Sequence, residues 1–239
     1  MITVHLKKLR RRIEISSEEE RVIRDSVCEI RRVAADQVIV RAGEELNSCV
    51  LLLEGWLART KDLAGGERQV TELHVAGDFA DLPGFTLKRL DHDVTTMSDC
   101  RIAVVPHERI RDMIDRHPRL GRVYWLMTNI DGAIQRELAL SLGQRSAISR
   151  MAHLFCELYV RLSVVGRTRE DGYEFPLTQR EIAECLGLTV VHANRTLQEL
   201  RRRGLVELEN RHLTIRDRRG LEGLAEFDSD YLFLDKHEL

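Results

Sequence analysis

The chain has 239 residues, 43% hydrophobic and 32% charged, with a formal net charge of −2, a soluble globular profile long enough for about two domains. No apolar run approaches the roughly 18 residues of a membrane span, and the basic start MITVHLKKLRRRIEI lacks the apolar core of an export signal. Cys28, Cys49, Cys100, Cys156 and Cys185 form no C-x-x-C pair and the histidines no H-E-x-x-H, so no metal or cofactor is expected and the thiols fit a reducing cytoplasm.

Lys7, Lys8 and Arg10 to Arg12 read as a solvated helix face. Ser16 and Glu19 have capping-box spacing and open a short helix, roughly Ser17 to Cys28, with Val22, Ile23 and Val27 on its apolar side. From Val33 short β-branched runs follow: Gln37–Val40, Cys49–Leu53, Trp56–Lys61, Arg68–Leu73, Asp93–Met97 and Cys100–Val105. Gly43, Gly55, Gly65-Gly66 and Gly77 punctuate them at the spacing of an antiparallel sandwich or barrel. Pro106 suits the first turn of a helix running to Arg116, and Pro118 closes it.

The next segment, RLGRVYWLMTNIDGAIQRELALSLG, carries Leu120, Val123, Met127, Ile130 and Ile134 at the a/d rhythm of a coiled-coil seam. A homodimer seam on a helix that also docks on the β-domain is favoured, because Tyr124, Trp125, Leu126 and Leu138 put apolar surface on other faces as well. The alternative is a core helix packed inside one subunit. Ser146 to Val165 is a further apolar-periodic helix, and GRTREDGYEFP a polar loop.

LTQREIAECLGLTVVHANRTLQELRRRG then reads as two helices joined by a tight turn. Thr178 and Glu181 form a capping box, Gly187 ends the first helix in a left-handed conformation, and Thr189 caps the second. Ala193, Leu197 and Leu200 mark the buried side of the second helix; Val191, Asn194, Arg195, Gln198 and Arg202 lie opposite. Amide and guanidinium groups on the free side of a helix suit the DNA major groove. The rival reading is a surface hairpin with solvated arginines. LVELEN-RHLTI follows as a wing whose Arg211 and His212 are placed for the phosphate backbone. Between Thr178 and Gly220 nine arginines face six acids, a local basic excess on a chain that is acidic overall. Leu221 to Phe227 reads as a small closing helix, and the acidic tail beyond it carries no motif.

A β-roll, a dimer helix and a winged helix-turn-helix in that order resemble the Crp/Fnr family of bacterial transcription regulators. LTQREIAECLGLTVVHANRTLQEL and AGDFADLPGF are the segments that carry the resemblance most specifically. It implies an α+β chain with a jelly-roll-like antiparallel sensor domain at 1–118, a dimerisation helix and hinge at 119–145, and a DNA-binding domain at 146–239. It further implies a homodimer on a two-fold symmetric site in double-stranded DNA, a partnership with RNA polymerase, and a small-molecule effector pocket around Gly77, Asp78, Phe79, Leu82, His92 and Asp93. Members that bind cyclic nucleotides carry a ribose Glu and a phosphate-binding Arg-Ser or Arg-Thr pair; here those positions read as Leu82 and His92-Asp93, so cAMP is not expected to bind in the usual manner. No cysteine precedes Cys28, which argues against the family's iron–sulfur cofactor, and His74 and His92 read as ordinary histidines rather than haem ligands.

On the recognition helix the family's first two base-reading positions fall on Val190 and Val191, leaving Arg195 for guanine, Val191 for a thymine methyl, and Asn194 and Gln198 for adenine. Thr178, Gln179 and Thr189 are expected on phosphates, as is Arg211 of the wing, and Arg202 belongs to the DNA-facing side of the second helix. Two other functional classes compete. One is a sensor that gates a partner protein without reading DNA; the other is an enzyme, for which Asp91 and Asp93 are the nearest acid pair but have no nucleophile or ligand set beside them.

Overall fold

The computed structural model describes residues 2–169, 171–236 and 238. Helices α1 (Thr3–Arg10) and α2 (Ser17–Asp25) precede the strands β1 (Glu29–Val33), β2 (Val38–Val40), β3 (Ser48–Glu54), β4 (Leu57–Asp62) and β5 (Arg68–His74). After the short α3 (Gly84–Leu87) come β6 (Asp93–Thr96), β7 (Cys100–Pro106), α4 (His107–Arg116), the long α5 (Pro118–Gln144) and α6 (Ala147–Val164). The C-terminal part holds β8 (Thr168–Arg169), β9 (Gly172–Glu174), α7 (Gln179–Leu186), α8 (Val190–Arg202), β10 (Val206–Glu209), β11 (His212–Ile215), α9 (Arg218–Ala225) and a 3₁₀ turn at Asp230–Leu232.

Two antiparallel sheets, ordered β1-β7-β3 and β2-β6-β4-β5, form the roll. Its interior is filled by Leu52, Leu57, Ala80, Leu90, Val94 and Ile102. The runs expected from the sequence appear as strands with shifts of a residue or two; β1, EIRRV, was not expected, because two arginines interrupt its apolar pattern. Pro106 ends β7 and precedes α4, which stops at Arg116 before Pro118 as expected, and Pro118 also opens α5 from its first turn. The polar loop after α6 contains β8 and β9, which join the wing in a sheet ordered β10-β11-β9-β8. Strands of two and three residues fall below what an alternation pattern can reveal, yet Tyr173 and Phe175 from this stretch are fully buried.

Of the basic N-terminal residues, Lys7, Arg10 and Arg11 are exposed as expected, but Lys8 and Arg12 are not. Leu6 and Leu9 of α1 are buried, Lys8 donates to Asp78 at 2.6 Å, and Arg12 is only 3% exposed. The roll and the C-terminal part are packed against each other. One apolar cluster joins Trp56, Val70 and Leu73 of the roll to Phe155, Ile182 and Leu186 of the C-terminal part.

Burial shifts three acids and three histidines. Burial, reinforced by Asp131, pushes Glu72 up to about 8, Asp81 rises to about 7 through burial, and Asp131 is raised in the same way. Burial also holds His5 down at about 4 and His74 and His153 at about 3. An acid raised in the fold stabilises at low pH and loses that contribution as pH climbs through its folded value; a depressed histidine stabilises above its ordinary value and loses it as pH falls. Below the ordinary histidine value of 6.5 the two sets oppose each other, whereas between 6.5 and about 8 only the acids act. The melting temperature is therefore expected to fall from pH 6.5 to 8, and Glu72→Gln to flatten that fall. Parallel melting profiles for the two proteins would contradict the assignment.

Candidate nucleic-acid interface

The helix pair α7–α8 is built from local signals. Thr178 Oγ1 accepts from Glu181 N at 3.3 Å while the Glu181 carboxylate accepts from Thr178 N at 2.6 Å. Gly187, at φ +60°, turns the chain and is followed by Thr189, whose hydroxyl accepts from His192 N at 3.2 Å. Ala193, Leu197 and Leu200 face the core as the periodicity required. Arg150 braces the turn by donating to the Leu186 carbonyl.

The free side of α8 is chemically mixed and open. Val190 and Val191 are 39% and 61% exposed, an unusual position for two β-branched apolar side chains unless something covers them. Arg195 and Gln198 are exposed, and Arg195 has no side-chain hydrogen bond or ion pair among the described residues. Asn194 Nδ2 donates to Gln179 Oε1 at 2.8 Å, so the two amides form a unit that spans the helices. Arg202 donates twice to Glu199, at 2.8 and 2.7 Å, an exposed pair that a phosphate can replace at little cost. Thr189 is exposed at the N-terminus of α8, where unpaired N–H groups and the helix dipole favour an anion. The exposed His192, which the sequence reading passed over, stands beside it.

The wing turns at Asn210 and Arg211, both at positive φ (50° and 60°). Arg211 and Thr178 border a cleft of about 550 Å³ between wing and roll, whose roll side carries Asp36, Glu54 and Asp99. These two residues therefore lie away from the Val191–Arg195 face.

The six residues expected around an effector do not converge. Gly77 accepts from His5 Nδ1 at 2.8 Å, and Phe79 packs edge-on against His5 and Tyr124, so both anchor α1. Asp78 is taken by Lys8 at 2.6 Å and Arg161 at 2.9 Å, its carboxyl held well below the usual range despite burial. Leu82 sits under α5, while His92 binds Asp91 at 2.9 Å and Asp93 accepts from Ala42 N at 2.7 Å at another edge of the roll. The alternation of the strands turns this cassette towards the helices, and the apolar side chains named above occupy the interior. Arg59, which the sequence reading missed, is a buried cation of the roll. It is already held by the Ala80 carbonyl at 2.8 Å, Glu72 at 2.6 Å and Asp131 of α5 at 3.4 Å. A cyclic phosphate does not fit these residues as they stand.

The seam expected on α5 is also corrected. Leu120, Val123, Met127, Ile130 and Ile134 are all buried inside their own protomer, beneath α1, the roll and the tail. The core-helix alternative holds for these five. A second series, Gly121, Trp125, Thr128, Gly132, Gln135 and Ala139, repeats the 4-3-4-3-4 spacing on the outer face, with Trp125 68% exposed. Its small and polar members hid it from a search for apolar repeats.

Residues 149–224 match the Crp-like helix-turn-helix domain, and residues 30–117 match the cyclic nucleotide-binding domain. The transcriptional activator protein FnrL of Cereibacter sphaeroides is 27% identical over 216 residues, 89% of this chain and 86% of its own. The transcriptional activator protein FnrA of Stutzerimonas stutzeri is 23% identical over 213 residues, 89% and 87% of the two chains. Among solved structures, FixK2 from Bradyrhizobium japonicum matches with a TM-score of 0.76 at 23% identity, over 83% of this chain and 97% of that one.

Proposed function

The chain belongs to the Crp/Fnr family of transcription regulators, and on that premise we propose that it reads DNA as a homodimer through α8, with Arg195 as its principal base contact. It is a sequence-specific DNA-binding regulator and not an enzyme. What carries the residue assignment is the outer side of α8, where an unpartnered guanidinium stands beside two exposed valines. Arg195 suits the N7 and O6 acceptors of guanine, Val190 and Val191 a thymine methyl, and the Asn194–Gln179 unit and Gln198 an adenine edge. Thr189 and Arg202 serve the phosphates, whereas Thr178 and Arg211 face the roll across the cleft.

The dimer is proposed to form on the outer face of α5 around Trp125, which leaves the inner face to hold the roll. A two-fold axis there presents two copies of α8 to a palindromic site. RNA polymerase is the natural downstream partner of such a regulator, and the cytoplasm its compartment. Selection of bound duplexes from a random pool tests the reading. An enriched palindrome whose affinity falls steeply with salt supports it; a pool that stays random favours a sensor acting on a partner protein.

The roll carries the cyclic nucleotide-binding fold without the residues that hold the nucleotide. Saturating cAMP is therefore expected to leave the melting temperature unchanged, because only a ligand that binds the native state raises it. A rise of several degrees would refute this.

A further inference from the structure

Of the stretches outside both matched domains, the one before residue 30 and the one after residue 224 are brought together by the fold. Beyond α9, Phe227 and Tyr231 pack on the His153 ring of α6, and Tyr231 Oη donates to Glu157 Oε2 at 2.8 Å. Leu232 then enters the core formed by α1, α5 and the roll and is completely buried. Its carbonyl accepts from Arg12 Nε at 3.2 Å and Nη2 at 2.9 Å, and Arg12 Nη1 donates to the Lys8 carbonyl at 3.2 Å.

Arg12 is the informative residue. It is 3% exposed, yet among the described residues no carboxylate lies within ion-pair distance of it. Burial brings its pKa down to about 10. A hidden guanidinium bonded to main-chain carbonyls loses most of its hydrogen bonds if the tail leaves. The tail thus adds a direct link from the C-terminal part to α1, beside the apolar cluster shared with the roll, the Arg161–Asp78–Lys8 contact and the covalent hinge at Arg145, where the backbone is extended between α5 and α6.

We propose that residues 228–234 are a strap that fixes the DNA-binding part against α1 and α5 and so preorganises α8 for a two-fold site. The strap holds rather than blocks, because the Val191–Arg195 face stays open while Leu232 is seated. Without it the hinge samples more orientations, and that freedom must be lost again on binding two half-sites at fixed spacing.

The affinity part of the idea rests on the DNA-reading assignment, whereas the hinge part does not, so two measurements are needed. Amide exchange at residues 143–147 is compared between the full chain, a chain ending at Phe227, and full-length Leu232→Asp and Arg12→Ala variants. The strap requires exchange there to rise about tenfold in each variant, with the melt of the winged part retained. It also requires binding to the selected palindrome to weaken about fivefold or more, with little change on an isolated half-site. Unchanged hinge exchange, or affinity that is equal or tighter, overturns the proposal. If truncation prevents folding, the two point variants decide. A full chain that binds no duplex but whose hinge still responds to Leu232→Asp would sink the DNA assignment and leave the strap standing.

Discussion

Trp125→Glu is expected to turn the dimer into a monomer while leaving the protomer folded. Trp125 is 68% exposed on the outer side of α5, so the fold loses little packing when it goes. Across a two-fold axis two glutamates would face each other and two large apolar surfaces would disappear. Two linked half-site contacts gain about 10²–10⁴ in avidity over one, so operator affinity should fall by about a hundredfold or more while half-site affinity holds. Light scattering and operator titration read both effects. A dimer of unchanged mass would refute the outer-face assignment. Met127→Glu makes the contrast: Met127 is buried within the protomer, and an unpaired carboxylate there should unfold the roll rather than divide the dimer.

That pair of substitutions also explains why the sequence misled on α5. A helix with two neighbours carries a 3-4 rhythm on two sides, and periodicity identifies a covered face without saying what covers it. The apolar series Leu120 to Ile134 was the easier one to see, and the larger body, the roll with α1, uses it. The reading helices were legible for the opposite reason. Thr178, Glu181, Gly187 and Thr189 act within three or four residues of themselves, so their roles are written locally. Arg59, Asp78, Asp131, Arg161 and Arg12 act across separations of 72 to 220 residues, and no spacing rule announces such partners. The effector cassette failed similarly: Gly77, Asp78 and Phe79 were found as a motif, but their direction was fixed by α1, whose apolar face is masked by lysines and arginines.

Arg195→Ala is expected to cost about 1–3 kcal/mol per half-site on the selected operator and to relax the base preference at the position it reads. The size follows from its surroundings. Arg202 must exchange a carboxylate for a phosphate, and Asn194 must rearrange its bond to Gln179, whereas Arg195 has no partner to give up. Its whole hydrogen-bonding capacity is available to a base edge, and the neighbouring valines exclude water from the contact. Because both half-sites are affected, the dimer should lose roughly the square of the factor seen on a half-site. Arg202→Ala should behave differently, weakening all duplexes alike and reducing the salt dependence by about one phosphate. Measuring both variants on operator and on scrambled DNA separates reading from anchoring. Equal losses of Arg195→Ala on the two duplexes would move that residue to the phosphate backbone and leave the exposed valines and Gln198 to carry the recognition.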